Sequence, residues 1–221
     1  MNYFAHGRHC IERPYLLAGT AVPDWLSVVD RRARARSRAA RPFLQARDQR
    51  LVDLAAGVLK HHADDDWFHG TRAFAELNWE FTVAIRDRLP PDDGLRPSFL
   101  GHILVELLLD AELIAEAPSR LDDYYAAMRK LDPEYVAWGI QRMTSRPIDR
   151  LPHWIERFSS ERFLYDYGED AKLLVRLNMV MRRVGLPTIP EELQHWFPEA
   201  RQRVRPRIAE LLAGEDKELV E

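Results

Sequence analysis

Two stretches of the sequence each carry three side chains of metal-ligand type at intervals of four residues. The two triplets are His61, Asp65 and His69, and His102, Glu106 and Asp110. In an α-helix each step of four residues advances only ~40° around the axis, so each triplet forms one narrow stripe along a helix face. Two such stripes facing each other would bring imidazoles and carboxylates into one cavity. This mixture of donors suits a pair of divalent metal ions such as Mn, Fe or Zn.

The second stripe lies within a strongly apolar stretch. The other residues between His102 and Asp110 are isoleucine, valine or leucine, apart from Glu106 itself, and a helix that is apolar nearly all round is a buried helix. Buried carboxylates are usually paired or metal-bound, because an unpaired one is costly. A shared metal ion would satisfy the whole stripe. In the alternative interpretation His102 bonds a backbone carbonyl and Glu106 pairs with an arginine. The first stripe is more polar and also fits a solvated helix face.

Two further residues can complete such a centre. His6 follows the apolar residues 3–5, and Asp24 lies in the apolar segment 18–25, where a carboxylate requires a partner. For each residue alone, helix capping or a core hydrogen bond is the more common role. Together with the stripes they make eight candidates, about the number that two ions with open positions for water and substrate require. The candidate metal ligands are His6, Asp24, His61, Asp65, His69, His102, Glu106 and Asp110.

Composition limits the class of protein. The chain has 221 residues, a formal net charge of −3 and one cysteine, Cys10. This length suffices for one domain with a sizeable core, and the slight negative charge predicts no nucleic-acid partner. A single cysteine excludes an internal disulfide, and the lack of an apolar run of ~20 residues predicts no membrane span. The first residues do not have the layout of a signal peptide, so we expect a cytoplasmic protein.

Helix signals dominate the sequence, and alternating β-branched runs are nearly absent. The predicted helices are 72–88 after the N-cap Thr71, 99–115 after Ser98, 134–143 after Asp132 and Pro133, and 173–184 before Gly185, with Pro190 and Pro198 opening the last two. We therefore expect a single all-α domain over residues 1–213 with its site between helices. A polar tail over residues 214–221 follows it.

A cluster of arginines follows Asp24 closely. We expect Arg31, Arg34, Arg38 and Arg41 to lie on one helical face. One interpretation is a solvated face balanced by acids elsewhere. The other is a contact for phosphate or for an acidic partner.

Five short motifs occur in order, at compatible spacing, over most of the chain. They are Met1 to His6; Gly19, Thr20, Asp24 and Trp25; Gly57, Val58, His61, His62, Asp65 and His69; Glu106 and Asp110; and Phe163, Leu164 and Tyr167. Read together, they resemble the acyl carrier protein phosphodiesterase family, a helical, metal-dependent group related to the HD-type phosphohydrolases. The sequence departs from the family pattern at Thr20, His62 and His69, where the family has Asn, Arg and Asp. Residues 22–24 and 102–110 also look like zinc-dependent phospholipase C proteins.

The resemblance implies a role for each candidate. It implies an HD-like fold in which Asp65 bridges two metal ions and the other candidate ligands complete their coordination. Lys60 and His62 are then candidates for binding the phosphate or protonating the leaving oxygen. The resemblance also implies that the arginine cluster docks an acidic acyl carrier protein.

We therefore expect a metal-dependent phosphohydrolase, and specifically a phosphodiesterase. It would use a metal-bridged hydroxide, with manganese as one candidate metal. Two alternatives stay open. One is a diiron or dimanganese oxidoreductase in a helical bundle, although such proteins usually carry Glu-x-x-His at a spacing of three. The other is a helical interaction protein without catalytic activity.

Overall fold

The computed structural model describes residues 1–90 and 94–215, and every regular element in that part of the chain is helical. The α-helices are α1 Tyr3–Gly7, α2 Pro14–Val29, α3 Ser37–Ala40, α4 Gln49–His69, α5 Arg72–Arg88, α6 Pro97–Glu116, α7 Pro118–Met128, α8 Pro133–Thr144, α9 Leu151–Glu161, α10 Asp170–Val184, α11 Phe197–Val204 and α12 Ile208–Leu211. Short 3₁₀ helices cover Arg41–Gln45, Phe163–Gly168, Glu191–Trp196 and Arg205–Arg207. The all-α prediction is confirmed for these residues. Most of the predicted tail, from residue 216 onward, lies outside them.

Several helix ends are set by the capping chemistry that the sequence predicted. The Thr71 hydroxyl accepts the backbone N–H of Phe74 at the start of α5, and the Asp132 carboxylate accepts two backbone N–H groups at the start of α8. Gly185 ends α10 with a φ of +77°, which a residue without Cβ adopts at little cost. None of the helices in the described ranges is long and apolar enough to cross a membrane.

Two predicted helix starts are wrong. Helix α6 begins at Pro97, which lies in its first turn. Ser98 is therefore inside the helix and does not cap it. Pro190 opens a 3₁₀ helix instead of an α-helix. At α6 the proline sets the start, because its fixed φ suits the first turn of a helix. Pro190 is the residue just before its 3₁₀ helix, with φ −59° and ψ 145°.

The chain divides into two compact units, and the division falls within α4. Unit 1 comprises Met1–Asn2, Asp66–Glu116 and Phe163–Glu221, and unit 2 comprises Tyr3–Asp65 and Ala117–Arg162. In unit 1, α5 packs along α6, and Phe81 contacts the Trp196 ring edge-on at 5.1 Å. In unit 2, α2 packs against α7 and α9, and Trp25 meets Phe158 at 5.3 Å.

The predicted helical face of arginines is only partly helical, because Arg38 lies in α3 and Arg41 in a 3₁₀ helix, whereas Arg31 and Arg34 precede both. Helix α2 ends at Val29, and residues 31–36 form a turn and an extended segment before the short α3. Ala33 and Ala35 are buried, whereas the arginines beside them are exposed. Burial of alternate small side chains requires the period of an extended chain, so it overrides the helical period read from the arginines.

Two glycines allow α2 and α4 to approach closely within unit 2. A Cβ atom on Gly57 would lie 2.7 Å from the Cα of Gly19 and would overlap the carbonyl oxygen of Leu16. A Cβ on Gly19 would in turn lie 2.8 Å from the Cα of Gly57. Thr20 follows Gly19, and His61 lies one turn after Gly57. The glycine contact therefore brings the α2 backbone within reach of a candidate metal ligand.

Candidate metal centres

The first candidate centre lies in unit 2 and consists of His6, His61 and Asp65, whose donor atoms all fall within 4.8 Å of one another. Helix α1 supplies His6, and successive turns of α4 supply the other two. The Nε2 atoms of His6 and His61 lie 3.3 and 3.4 Å from the two carboxylate oxygens of Asp65. Both imidazoles are buried, while the Asp65 side chain is 31% exposed.

Hydrogen bonds on the far side of each ring fix its orientation. His61 Nδ1 lies 2.8 Å from the carbonyl oxygen of Thr20, which can only accept, so Nδ1 carries the proton. His6 Nδ1 donates to Asp64 Oδ2 at 2.9 Å, and the other oxygen of Asp64 accepts from Lys60 Nζ at 2.7 Å. Each ring therefore turns its Nε2 atom toward Asp65. This pattern, an outward Nδ1–H and an inward Nε2, is typical of histidines that bind metals.

A cation between the inward atoms would satisfy all of them. In neutral rings whose Nδ1 atoms carry the protons, both Nε2 lone pairs point at a negative carboxylate. His6 Nε2 is buried and makes no hydrogen bond to any described residue. Donors ~2.1 Å from a shared ion at tetrahedral angles lie ~3.4 Å apart, close to the separations found here. Two imidazoles and one carboxylate suit Zn, Fe or Mn, so these residues fit a divalent metal ion.

Charge also accumulates around these ligands. Burial alone would raise the pKa of Asp65, but the facing imidazoles of His6 and His61 hold it well below its usual range. Burial opposes protonation of His61, yet Asp65 and the negative charge of Asp24 hold its pKa above the ordinary value. Both shifts express the same preference for positive charge between the rings and the carboxylate.

The second candidate centre lies in unit 1 and consists of His69, His102 and Glu106. The Nε2 atoms of His69 and His102 lie 2.9 and 3.1 Å from the same atom, Glu106 Oε1. The amino group of Met1 lies 3.3 Å from that oxygen, and Phe74 meets both imidazoles edge-on. Burial would raise the pKa of Glu106, but the amino group and the two imidazoles hold it well below its usual range. Glu106 thus contacts two imidazoles, whereas the alternative interpretation of the sequence expected it to pair with an arginine.

The two centres differ in exposure. The side chains of His69 and His102 are 33% and 36% exposed, whereas those of His6 and His61 are 0% and 5% exposed. The second centre is therefore open to solvent on the imidazole side, so an ion bound there would exchange more freely. The first holds its histidines in fixed orientations before any ion binds.

Six of the eight predicted ligands fall in these two groups, and Asp24 and Asp110 fall outside both. Asp24 lies one turn after Thr20 on α2 and acts on His61 through its charge. Asp110 is fully buried on α6, one turn after Glu106. Their assignment as ligands stays a prediction, and so does one cavity shared by two metal ions.

The two predicted phosphate-binding residues have structural partners. Lys60 forms an ion pair with Asp64, and His62 Nε2 donates to the carbonyl oxygen of Ala35 at 2.7 Å. Each contact fixes one donor of the side chain. Their direct role in binding phosphate or protonating a leaving group stays a prediction.

Sequence analysis missed Asp64 and the Thr20 carbonyl. Asp64 is fully buried and binds both His6 and Lys60. One sign was available in the sequence, since Lys60 and Asp64 are four residues apart and such pairs meet on a helix. The carbonyl left no sign, because every residue has one and only the contact between α2 and α4 selects it.

Replacing Asp64 with asparagine is expected to weaken metal binding by roughly 10- to 100-fold without unfolding the protein. Asparagine has nearly the same shape, but it removes the negative charge that holds His6 Nδ1–H and Lys60. Competition against a chromogenic chelator measures the affinity, and Asp66→Asn, at an exposed neighbouring acid on α4, is the matched control. Equal metal affinity in the two variants would show that Asp64 does not support the centre.

Comparison of the chain with protein families, curated proteins and solved structures finds no match. The resemblance to acyl carrier protein phosphodiesterases therefore stays a prediction that rests on the motifs alone.

Proposed function

We propose that this protein is a metal-dependent hydrolase of phosphoesters, with one divalent ion at His6, His61 and Asp65 and another at His69, His102 and Glu106. The observation that carries the proposal is the orientation of the two buried imidazoles. Their Nδ1 protons are held by Thr20 and Asp64, and their Nε2 atoms converge on one carboxylate. A bound ion lowers the pKa of a coordinated water and polarises a phosphoryl oxygen.

The residues of the chain prepare the first centre for that chemistry. Three protein donors leave positions open for water and substrate, as in catalytic sites. The contacts of Thr20 and Asp64 direct both Nε2 atoms toward Asp65, so the rings need not reorient when an ion binds. Partial exposure of Asp65, His69 and His102 allows a ligand to approach both centres from solvent.

Acyl carrier protein as the substrate, the HD-like arrangement and a cytoplasmic location belong to the same proposal and rest on the sequence alone. A carrier protein would present a phosphodiester on an acidic surface, and positive charge near the metal centres would attract it. Because interactions between exposed charges are screened above ~0.1 M salt, turnover of such a substrate should fall as salt rises.

A second candidate function is oxidation by a mononuclear iron centre. Two histidines and one carboxylate with open positions also form the facial triad of non-haem Fe(II) oxygenases, and both centres have this donor set. Elemental analysis and oxygen consumption separate the two functions. Iron with oxygen uptake favours the oxygenase, whereas Mn or Zn with phosphate ester cleavage favours the hydrolase.

The test is hydrolysis of bis-nitrophenyl phosphate by chelator-treated protein reloaded with Mn, Zn or Fe(II). We expect slow, metal-dependent release of nitrophenol that disappears in His61→Ala and persists in His153→Ala, an exposed histidine on α9. Since both variants lose one imidazole and follow the same purification, the pair excludes a contaminating phosphatase. If metal-loaded protein cleaves no phosphoester in a broad panel, the proposal is wrong.

A further inference from the structure

The positive charge of the chain is concentrated in one short segment. Residues 31–47, here named the arginine segment, contain seven arginines and no lysine or acidic residue, although the whole chain has a net charge of −3. The whole-chain charge therefore does not describe this surface. A local excess of positive charge of this size attracts polyanions whatever the net charge of the whole chain.

The backbone presents these arginines outward. After the turn at residues 31–32, the exposed Arg34 and Arg36 alternate with the buried Ala33 and Ala35. Alternate residues of an extended chain point the same way at intervals of ~6.6 Å. Arg34 and Arg36 thus lie on one side of the chain, and with the exposed Arg32 and Arg38 on either side of them in sequence they form a row of guanidinium groups. Guanidinium binds phosphate in a bidentate manner, which lysine cannot do.

A surface pocket of about 340 Å³ lies beside this row, also in unit 2. It is lined by Trp138, Gln141, Arg142, Ser145, Arg146 and Pro147. None of these lining residues is acidic, and the Trp138 side chain is 46% exposed. A pocket of this volume is large enough for a nucleotide-sized ligand.

Three contacts place the arginine segment along the pocket. Arg146 Nε lies 3.8 Å from Asp30, the residue just before the segment. Arg142 stacks at 5.4 Å over Phe43 within the segment and at 4.9 Å over Trp138. Helix α3, in the middle of the segment, packs against α8, which carries the pocket residues Trp138 and Arg142. The row of arginines and the aromatic pocket therefore form one continuous surface.

We propose that this surface binds single-stranded nucleic acid, with the arginine segment along the phosphates and a base stacked on Trp138. A positively charged track beside an accessible aromatic ring is the combination that single-strand binding proteins use. An acidic protein would also satisfy the arginines, but a single-stranded nucleic acid supplies a phosphate and a planar base in every residue, so the arginines and the tryptophan together favour nucleic acid. The proposal needs no metal ion and stands apart from the proposed hydrolase activity.

The test is fluorescence anisotropy of a labelled oligo(dT) of twelve nucleotides (a probe length chosen to span the row) in low salt with EDTA present. We expect saturable binding that weakens steeply as salt rises, because phosphate contacts release counterions. Combined Arg34→Glu, Arg36→Glu and Arg38→Glu should weaken binding by more than ~100-fold, since each arginine neutralises a phosphate. Trp138→Ala should weaken it by ~10-fold, which corresponds to the loss of one stacked base.

The matched control is a triple variant with the same charge change at exposed arginines outside the segment, Arg96→Glu, Arg129→Glu and Arg182→Glu. It should retain most of the binding, and circular dichroism should show that both triple variants are folded. Equal losses in the two triple variants would mean that only net charge matters, and the proposal would be overturned. It would also be overturned if labelled acyl carrier protein bound through the arginine segment while the oligonucleotide did not.

Discussion

Replacing Asp65 with alanine is expected to reduce the bound metal from two ions to one per chain and to bring metal-dependent phosphoester hydrolysis to background. Asp65 supplies the only carboxylate in the group of His6 and His61. Without it, two imidazoles must hold a divalent ion with no negatively charged ligand in the group. The loss of metal affinity should exceed the ~100-fold loss that follows removal of a residue that only hydrogen-bonds a metal ligand.

Elemental analysis of protein purified without chelator gives the stoichiometry. Thermal unfolding gives a second measure, because an ion that binds only the folded state at a hundredfold excess over its Kd raises Tm by ~5–10 °C. We expect Asp65→Ala to lose part of that metal-dependent increase and Glu106→Gln, in the second group, to lose the rest. The matched control is Asp66→Ala, which removes an exposed carboxylate from the next position of α4. Unchanged metal content in Asp65→Ala would refute the assignment of this centre.

Replacing Gly57 with alanine is expected to destabilise the protein by about 3 kcal/mol, although alanine is the better helix former. Glycine in the middle of a helix normally costs ~0.5–1 kcal/mol relative to alanine, so helix propensity alone predicts a gain. The structure predicts a loss, because the new Cβ would meet backbone atoms of Leu16 and Gly19, which cannot rotate away. Separating α2 from α4 would also lengthen the hydrogen bond from His61 Nδ1 to Thr20, so metal affinity should fall with stability.

Urea unfolding of the metal-free protein measures the loss of stability without any contribution from a bound ion. Gly168→Ala is the control, because a Cβ at that position would meet no atom within 4 Å, and it should change stability by less than ~0.5 kcal/mol. A Gly57→Ala variant as stable as the control would show that the two helices do not need their glycine contact.

Local spacing in the sequence determined several ligand pairs and helix caps of this protein. A spacing of four residues places His61 beside Asp65, and His102 beside Glu106, on any α-helix, whatever surrounds it. Thr71 and Asp132 cap helices because their side chains reach backbone N–H groups only two or three residues away. These features depend on neighbours in the sequence and therefore needed no knowledge of the fold.

Only tertiary structure decided which donors meet. His6 joins His61 and Asp65 from another helix, and His69 contacts Glu106 through a separation of 37 residues. Asp64 differs from Asp65 by one position, a rotation of ~100° that turns it toward Lys60 and the far side of His6. Residues 33–36 are extended instead of helical because Ala33 and Ala35 are buried. Each of these outcomes depends on which surfaces pack together. Such long-range packing cannot be derived from the spacing of residues along one helix.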